Sequence, residues 1–216
     1  MASIPSPPSV LSQSEQEKLI HKLEIFKIQG SDKRGRPILR IIGKLFPARL
    51  VTVDALKKYL EDEIFPSLDG GPFSVVYVHT GVNRGENFPG ISALKSIYDA
   101  IPVKVKENLE TFYFLHPGLQ SRLFLATFGR VLFSGGGAGS GLYWKVKYVN
   151  RLEFLWDNVK RKGIEIPDFV YDFDEEMECR PRMDYGLESD HPGPRMMYGC
   201  PGLDCTVSTY SMRCIS

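Results

Sequence analysis

Residues 73–79 read Phe-Ser-Val-Val-Tyr-Val-His, and residues 111–116 read Thr-Phe-Tyr-Phe-Leu-His. Both runs are short, rich in β-branched and aromatic residues, and nearly free of polar side chains. Such runs suit strands buried on both faces better than the alternating strands of a one-sided sheet. Between them, Pro89-Gly90 leads into a helical stretch near Ile91–Ala100, and Pro102 suits the first turn of another helix ending about Leu109. A buried strand, helices and a second buried strand predict parallel strands joined by a helical crossover.

Reading outward extends the pattern. Toward the N-terminus, Glu24–Gln29 and Pro37–Gly43 are strand-like, and Ser31-Asp-Lys-Arg-Gly35 between them is a turn, so the pair predicts a hairpin. Thr52 can cap a helix whose apolar positions are Val53, Leu56, Tyr59, Leu60, Ile64 and Phe65, with Pro66 expected to end it. Ser12 with Glu15, or Ser14 with Glu17, can form a capping box for a short helix through Leu23. Toward the C-terminus come a helical segment at Leu119–Phe133, a glycine-rich loop at Gly135–Gly141, a strand at Lys145–Val149 and a helix at Arg151–Val159. The expected fold class is α/β, with a mixed, largely parallel sheet and helical crossovers. Residues 1–12 are Pro/Ser-rich and expected to be disordered, residues 13–178 form the domain, and residues 179–216 form a poorly ordered tail.

The chain has 216 residues, which suits one domain with attached segments. Its 27 Lys and Arg nearly balance 26 Asp and Glu, for a net charge of +1. That balance excludes a chain held to nucleic acid mainly by net charge. It hides local blocks: residues 31–50 carry net +5, residues 111–162 net +6 and residues 165–190 net −8. No stretch resembles a secretory signal or approaches the apolar length of a membrane helix, so the expectation is a cytoplasmic protein. Cys179, Cys200, Cys205 and Cys214 all fall near the C-terminus, which suits free thiols better than a disulfide framework. Cys200 and Cys205 with His191 lack the paired ligands of a structural zinc site, and no metal or cofactor is expected.

Motifs of catalysis are lacking. The run Gly-Gly-Gly-Ala-Gly-Ser-Gly at 135–141 follows a helix and precedes a strand, the reverse of a phosphate-cradling loop, and reads as a linker. Ser140 is flanked at two residues' distance by Ala138 and Leu142, so it makes no nucleophile elbow. The acidic run Asp172–Glu178 matches no calcium loop and reads as a solvated face or tail. His79 and His116 each end an apolar strand, at the sheet edge where ligands sit in open α/β folds. Alternation places His79 with Phe73, Val75 and Tyr77, and His116 with Phe112 and Phe114. Either histidine ties down its strand–loop junction or faces a ligand. The segment Leu119–Phe133 is apolar over more of its surface than an ordinary amphipathic helix, so it is either a core helix or the border of an apolar ligand or membrane. No catalytic set emerges, and no enzyme is expected.

The ordered series Tyr77-Val-His-Thr80, the Ile91–Tyr98 helix, Asn108-Leu109, Phe114-Leu-His-Pro117, the apolar helix, Lys145-Val-Lys-Tyr-Val149 and Arg151-Leu-Glu-Phe-Leu155 resembles the divergent CRAL-TRIO domain, over roughly residues 20–175. Within that family it is similar to the BCH domains and to the C-terminal domain of ganglioside-induced differentiation-associated proteins. The resemblance implies a sheet flooring an apolar lipid cavity beneath a mobile gate helix, with Leu119–Phe133 in the gate position. It implies binding or transfer of a phospholipid or other lipophilic ligand, with reversible membrane contact. The BCH likeness implies the alternative of an adaptor for a small GTPase or its regulator. On this reading Val75, Tyr77, His79, Phe112, Phe114, His116, Leu123, Phe124 and Phe128 face the ligand. Arg122, Arg130, Lys145 and Lys147 meet anionic headgroups or an anionic membrane surface.

Overall fold

In a computed structural model, which describes residues 11–129, 133 and 141–179, five strands form one sheet in the order β1-β2-β3-β4-β5. They are β1 (Phe26–Ser31), β2 (Pro37–Ile42), β3 (Phe73–Val78), β4 (Leu109–Leu115) and β5 (Val146–Val149). β1 and β2 are the expected antiparallel hairpin, and β2 through β5 run parallel. The hairpin turn is held by Asp32, whose carboxylate accepts the N–H groups of Arg34 and Arg36 at 2.9 Å each.

Helices α1 (Gln13–Lys22) and α2 (Val53–Tyr59) begin at the expected caps. Ser12 and Glu15 form a reciprocal capping box, and the Thr52 hydroxyl accepts the Ala55 N–H at 3.3 Å. Gln16 joins the two helices by accepting the Thr52 N–H at 2.7 Å. Pro66 does not end α2. The helix widens into a π turn at Leu60–Ile64, in which the Phe65 N–H reaches back to the Leu60 carbonyl, and then continues as α3 (Phe65–Leu68). The extra residue in that turn makes room for the proline ring, which would otherwise strike the carbonyl four residues back.

Among the described residues the further helices are α4 (Arg84–Asn87), α5 (Ile91–Ala100), α6 (Val103–Asn108), α7 (Leu119–Phe124), α8 (Leu142–Lys145), α9 (Leu152–Trp156) and α10 (Asp168–Cys179). α7 passes into a π turn at Leu125–Gly129. Lys145 was expected in the last strand but closes α8, and β5 starts one residue later. The acidic stretch expected as a solvated face or tail is helical from Asp168 to Cys179.

Because the parallel strands step across the sheet in one direction, right-handed crossovers place α2, α5, α6 and α7 on a single face. That face carries Leu39, Phe73, Val75 and Phe114. The opposite face carries Ile38, Val76, Val78, Tyr113 and Leu115, and is covered by Leu152, Leu155, Val159, Ile164, Ile166 and Val170. By internal contacts the chain divides into two units, Met1–Asp174 and Glu175–Ser216. The described part of the second unit is residues 175–179 of α10. Most of the glycine run, the headgroup candidate Arg130, His191, Cys200, Cys205 and Cys214 lie outside the described residues.

Candidate functional site

A cavity of about 470 Å³ lies on the crossover face of the sheet. Its floor is Leu39 and Ile41 of β2, Phe73 and Val75 of β3, and Leu109 and Phe112 of β4. Leu60 and Ile64 of the first π turn, Phe65 and Leu68 of α3, Ile97 and Tyr98 of α5, and Val103 and Val105 of α6 enclose it, with Ile101, Leu142 and Phe26 completing the lining. The charged lining residues are Lys106 and Glu107, at the end of α6. An apolar recess of this size with its polar groups at one edge is the usual form of a small-ligand site.

Of the residues expected to face a ligand, Val75 and Phe112 line this cavity. Tyr77 and Phe114 stand beside it in an aromatic cluster, with ring centres 5.1 Å apart. Burial pushes the Tyr77 phenol up to about 12. His79 packs on Phe114 at 5.0 Å and hydrogen-bonds Ser121 through Nε2 at 2.6 Å. Burial also pushes the His79 imidazole down to about 4, so it is neutral at pH 7.

His116 is on the other face of the sheet. Strand alternation predicted it beside Phe112 and Phe114, but the strand ends at Leu115 and His116 takes a left-handed backbone with φ of 52°. The turn re-aims the imidazole, which bonds Thr80 Oγ1 through Nδ1 at 2.8 Å and Asp174 Oδ1 through Nε2 at 3.0 Å. Asp174 also accepts the Leu152 N–H at 2.9 Å and the Arg151 Nε at 3.2 Å. Burial raises the Asp174 carboxyl, but these donors outweigh it and hold the group below the usual carboxylate range. This network was not read from the sequence. Asp174 is one of many acids between residues 165 and 190, and only its spacing of four from Val170 marks it as inward.

Among the described residues of the expected gate segment, none of 119–129 is part of the cavity lining. Leu125 of the second π turn is buried in one cluster with Tyr98, Phe114 and Phe133, against which Phe124 of α7 packs. Phe124 is half-buried and meets Phe88 edge-on at 6.0 Å. Leu123 and Phe128 face outward at 56% and 48% exposure. Leu119, Trp144 and Tyr148 are exposed as well, and neither aromatic was singled out from the sequence.

The described residues expected at a headgroup make separate contacts. Arg122 donates to Asn150 Oδ1 and lies 5.5 Å from the Tyr148 ring. Lys145 donates to the Lys106 carbonyl at 3.0 Å, beside the charged edge of the cavity. Lys147 belongs to the opposite face of the sheet, 6.0 Å from the Tyr113 ring. Among the described residues, no group of three or more His, Cys, Asp or Glu side chains is placed to hold a metal ion. No described helix is long and apolar enough to cross a membrane.

The family model described as divergent CRAL/TRIO domain matches residues 35–176, from the hairpin turn to α10. The chain belongs to the divergent CRAL/TRIO domain family. CRAL-TRIO domains bind lipophilic ligands in general. This one is 32% identical over 169 residues to ganglioside-induced differentiation-associated protein 2 of Xenopus tropicalis, covering 76% of the chain and 32% of that relative. It is 28% identical over 169 residues to the Mus musculus protein of the same name, again 76% of the chain and 32% of the relative. Protein GDAP2 homolog of Drosophila melanogaster is 27% identical over 145 residues, 67% of the chain and 25% of that relative. The chain thus spans about a third or less of the length of these relatives.

Proposed function

We propose that this divergent CRAL-TRIO domain holds a lipophilic ligand in the cavity between its sheet and the first π turn, α3, α5 and α6, and makes reversible contact with an anionic membrane surface. The cavity carries the reading: its walls are apolar on every enclosing element, and charge enters at one edge. In this reading the protein performs no bond chemistry, and the Ser121–His79 pair serves as an anchor for α7.

The membrane contact is supported by the exposed side chains of Leu119, Leu123, Phe128, Trp144 and Tyr148. Arg122 and Lys145 neighbour them in sequence. Exposed apolar and aromatic groups with cations nearby suit an interface between headgroups and acyl chains. Each cation near such a surface contributes about 1 kcal/mol.

The adaptor reading draws no comparable support. In the basic block at 31–50, Arg36 is paired with Asp32 at 2.6 Å and Glu110 at 3.1 Å, while Arg40 is 3% exposed and donates to the carbonyls of Glu24 and Glu165. These cations serve the fold rather than a partner.

Native mass spectrometry of the protein as purified, with uptake of labelled lipids from vesicles, tests the proposal. A co-purified or captured lipid, lost when Val75→Phe narrows the cavity, is the expected result. Absence of any captured lipid overturns it.

A further inference from the structure

The size of the cavity and the charge at its edge narrow the ligand class. At about 470 Å³ the cavity falls in the lower half of the range usual for small-ligand sites, which suits one long alkyl chain better than the two of a phospholipid. Its floor and roof are Leu, Ile, Val and Phe side chains apart from Tyr98, whose hydroxyl already donates to the Phe133 carbonyl at 3.2 Å. A ligand head must therefore stay at the edge formed by Lys106 and Glu107.

At that edge the cation is the inward group. Lys106 is half-buried and Glu107 is exposed. The Lys106 ammonium lies 4.7 Å from the Tyr98 ring and reaches the Asp99 carbonyl at 3.4 Å. Burial lowers its pKa most; nearby Asp99 opposes that and Lys95 adds to it. A partly dehydrated ammonium without a direct carboxylate contact is improved by an incoming anion. Lys145, held against the Lys106 and Glu107 carbonyls, adds a second positive charge at the same edge.

We infer that the cavity takes a single-chain amphiphile with an anionic head, its chain between the sheet and α5–α6 and its head at Lys106. This rests on the lipid-holding reading above and adds chain number and head charge to it. A carboxylate and a phosphate monoester share the required chemistry.

Titration of the full chain with palmitate, 1-palmitoyl lysophosphatidate, hexadecanol and dipalmitoyl phosphatidate tests it by native mass spectrometry and displacement of a fluorescent fatty acid. Expected are one-to-one binding of palmitate or lysophosphatidate, at least tenfold weaker binding of hexadecanol, and no retained dipalmitoyl lipid. The stronger of the first two identifies the head. Lys106→Gln should weaken the anions about tenfold and leave hexadecanol unchanged, with Lys106→Arg restoring them. Equal binding of hexadecanol and palmitate, or an inert Lys106→Gln, overturns the anionic head. Retention of the dipalmitoyl lipid as tightly as palmitate overturns the single chain. Binding of none of the four, with no co-purified lipid, overturns the lipid-holding reading itself.

Discussion

Ser121 Oγ and His79 Nε2 stand 2.6 Å apart, so a side-chain hydrogen bond ties the first turn of α7 to the end of β3. A neutral imidazole has one acceptor nitrogen. In the tautomer protonated on Nδ1, Nε2 accepts the Ser121 hydroxyl while Nδ1 faces the Tyr77 oxygen at 3.5 Å.

This pair makes stability depend on pH with a definite sign. Burial lowers His79 from 6.5 to about 4 in the folded chain. Between those values the unfolded chain binds a proton that the folded chain excludes, so stability falls as pH falls through that window. The full loss is on the order of 3 kcal/mol. Urea unfolding at pH 7 and pH 5 should show a smaller pH difference in His79→Gln than in the parent. Equal differences would contradict the assignment.

Asp174→Ala should cost about 3 kcal/mol, because it strips His116, Arg151 and the Leu152 N–H of one shared acceptor. Thr80→Val removes only the partner of His116 Nδ1 and should cost about 1–2 kcal/mol. Chemical denaturation measures both, and the reverse ranking would contradict the network described here.

Gly43 makes a steric prediction. A Cβ at this position would lie 2.5 Å from the Tyr77 hydroxyl and 2.9 Å from Val82 Cγ2. Gly43→Ala should therefore destabilise by about 1–3 kcal/mol. Adding Tyr77→Phe should recover part of that loss by removing the nearest atom. A double-mutant cycle in which the two changes simply add would show that the contact is not shared.

Leu123→Asp and Phe128→Asp should leave unfolding within about 0.5 kcal/mol of the parent, since both side chains face outward. Both should weaken sedimentation with anionic vesicles while leaving uptake of a soluble single-chain lipid unchanged. Loss of uptake in either variant would place α7 or the π turn after it at the cavity.

The strand pattern was legible because burial on two faces leaves a sequence signature: Phe73–Val78 has almost no polar choice open to it. Alternation along that strand and the next correctly put Val75 and Phe112 on one face. It failed at His116, one residue past β4, because a left-handed backbone breaks the two-residue period and no local residue type announces it. Lys147 failed differently. Its charge near the gate singles it out, and the register places it opposite Tyr113, on the face away from the cavity. The cavity was out of reach of periodicity, since its roof joins residues of the first π turn, α3, α5 and α6 that meet only after the chain has crossed the sheet.

The one-way order of the parallel strands has a consequence for synthesis. Every wall of the cavity has been made once Leu142 has emerged, yet Ile38, Val76, Val78, Tyr113 and Leu115 still face water on the reverse side of the same strands. Their cover, from Leu152 to Val170, is translated only after them. A nascent chain or a fragment stopping at β5 would hold a nearly finished pocket on a sheet with one bare apolar flank, the kind of surface that chaperones and aggregation compete for.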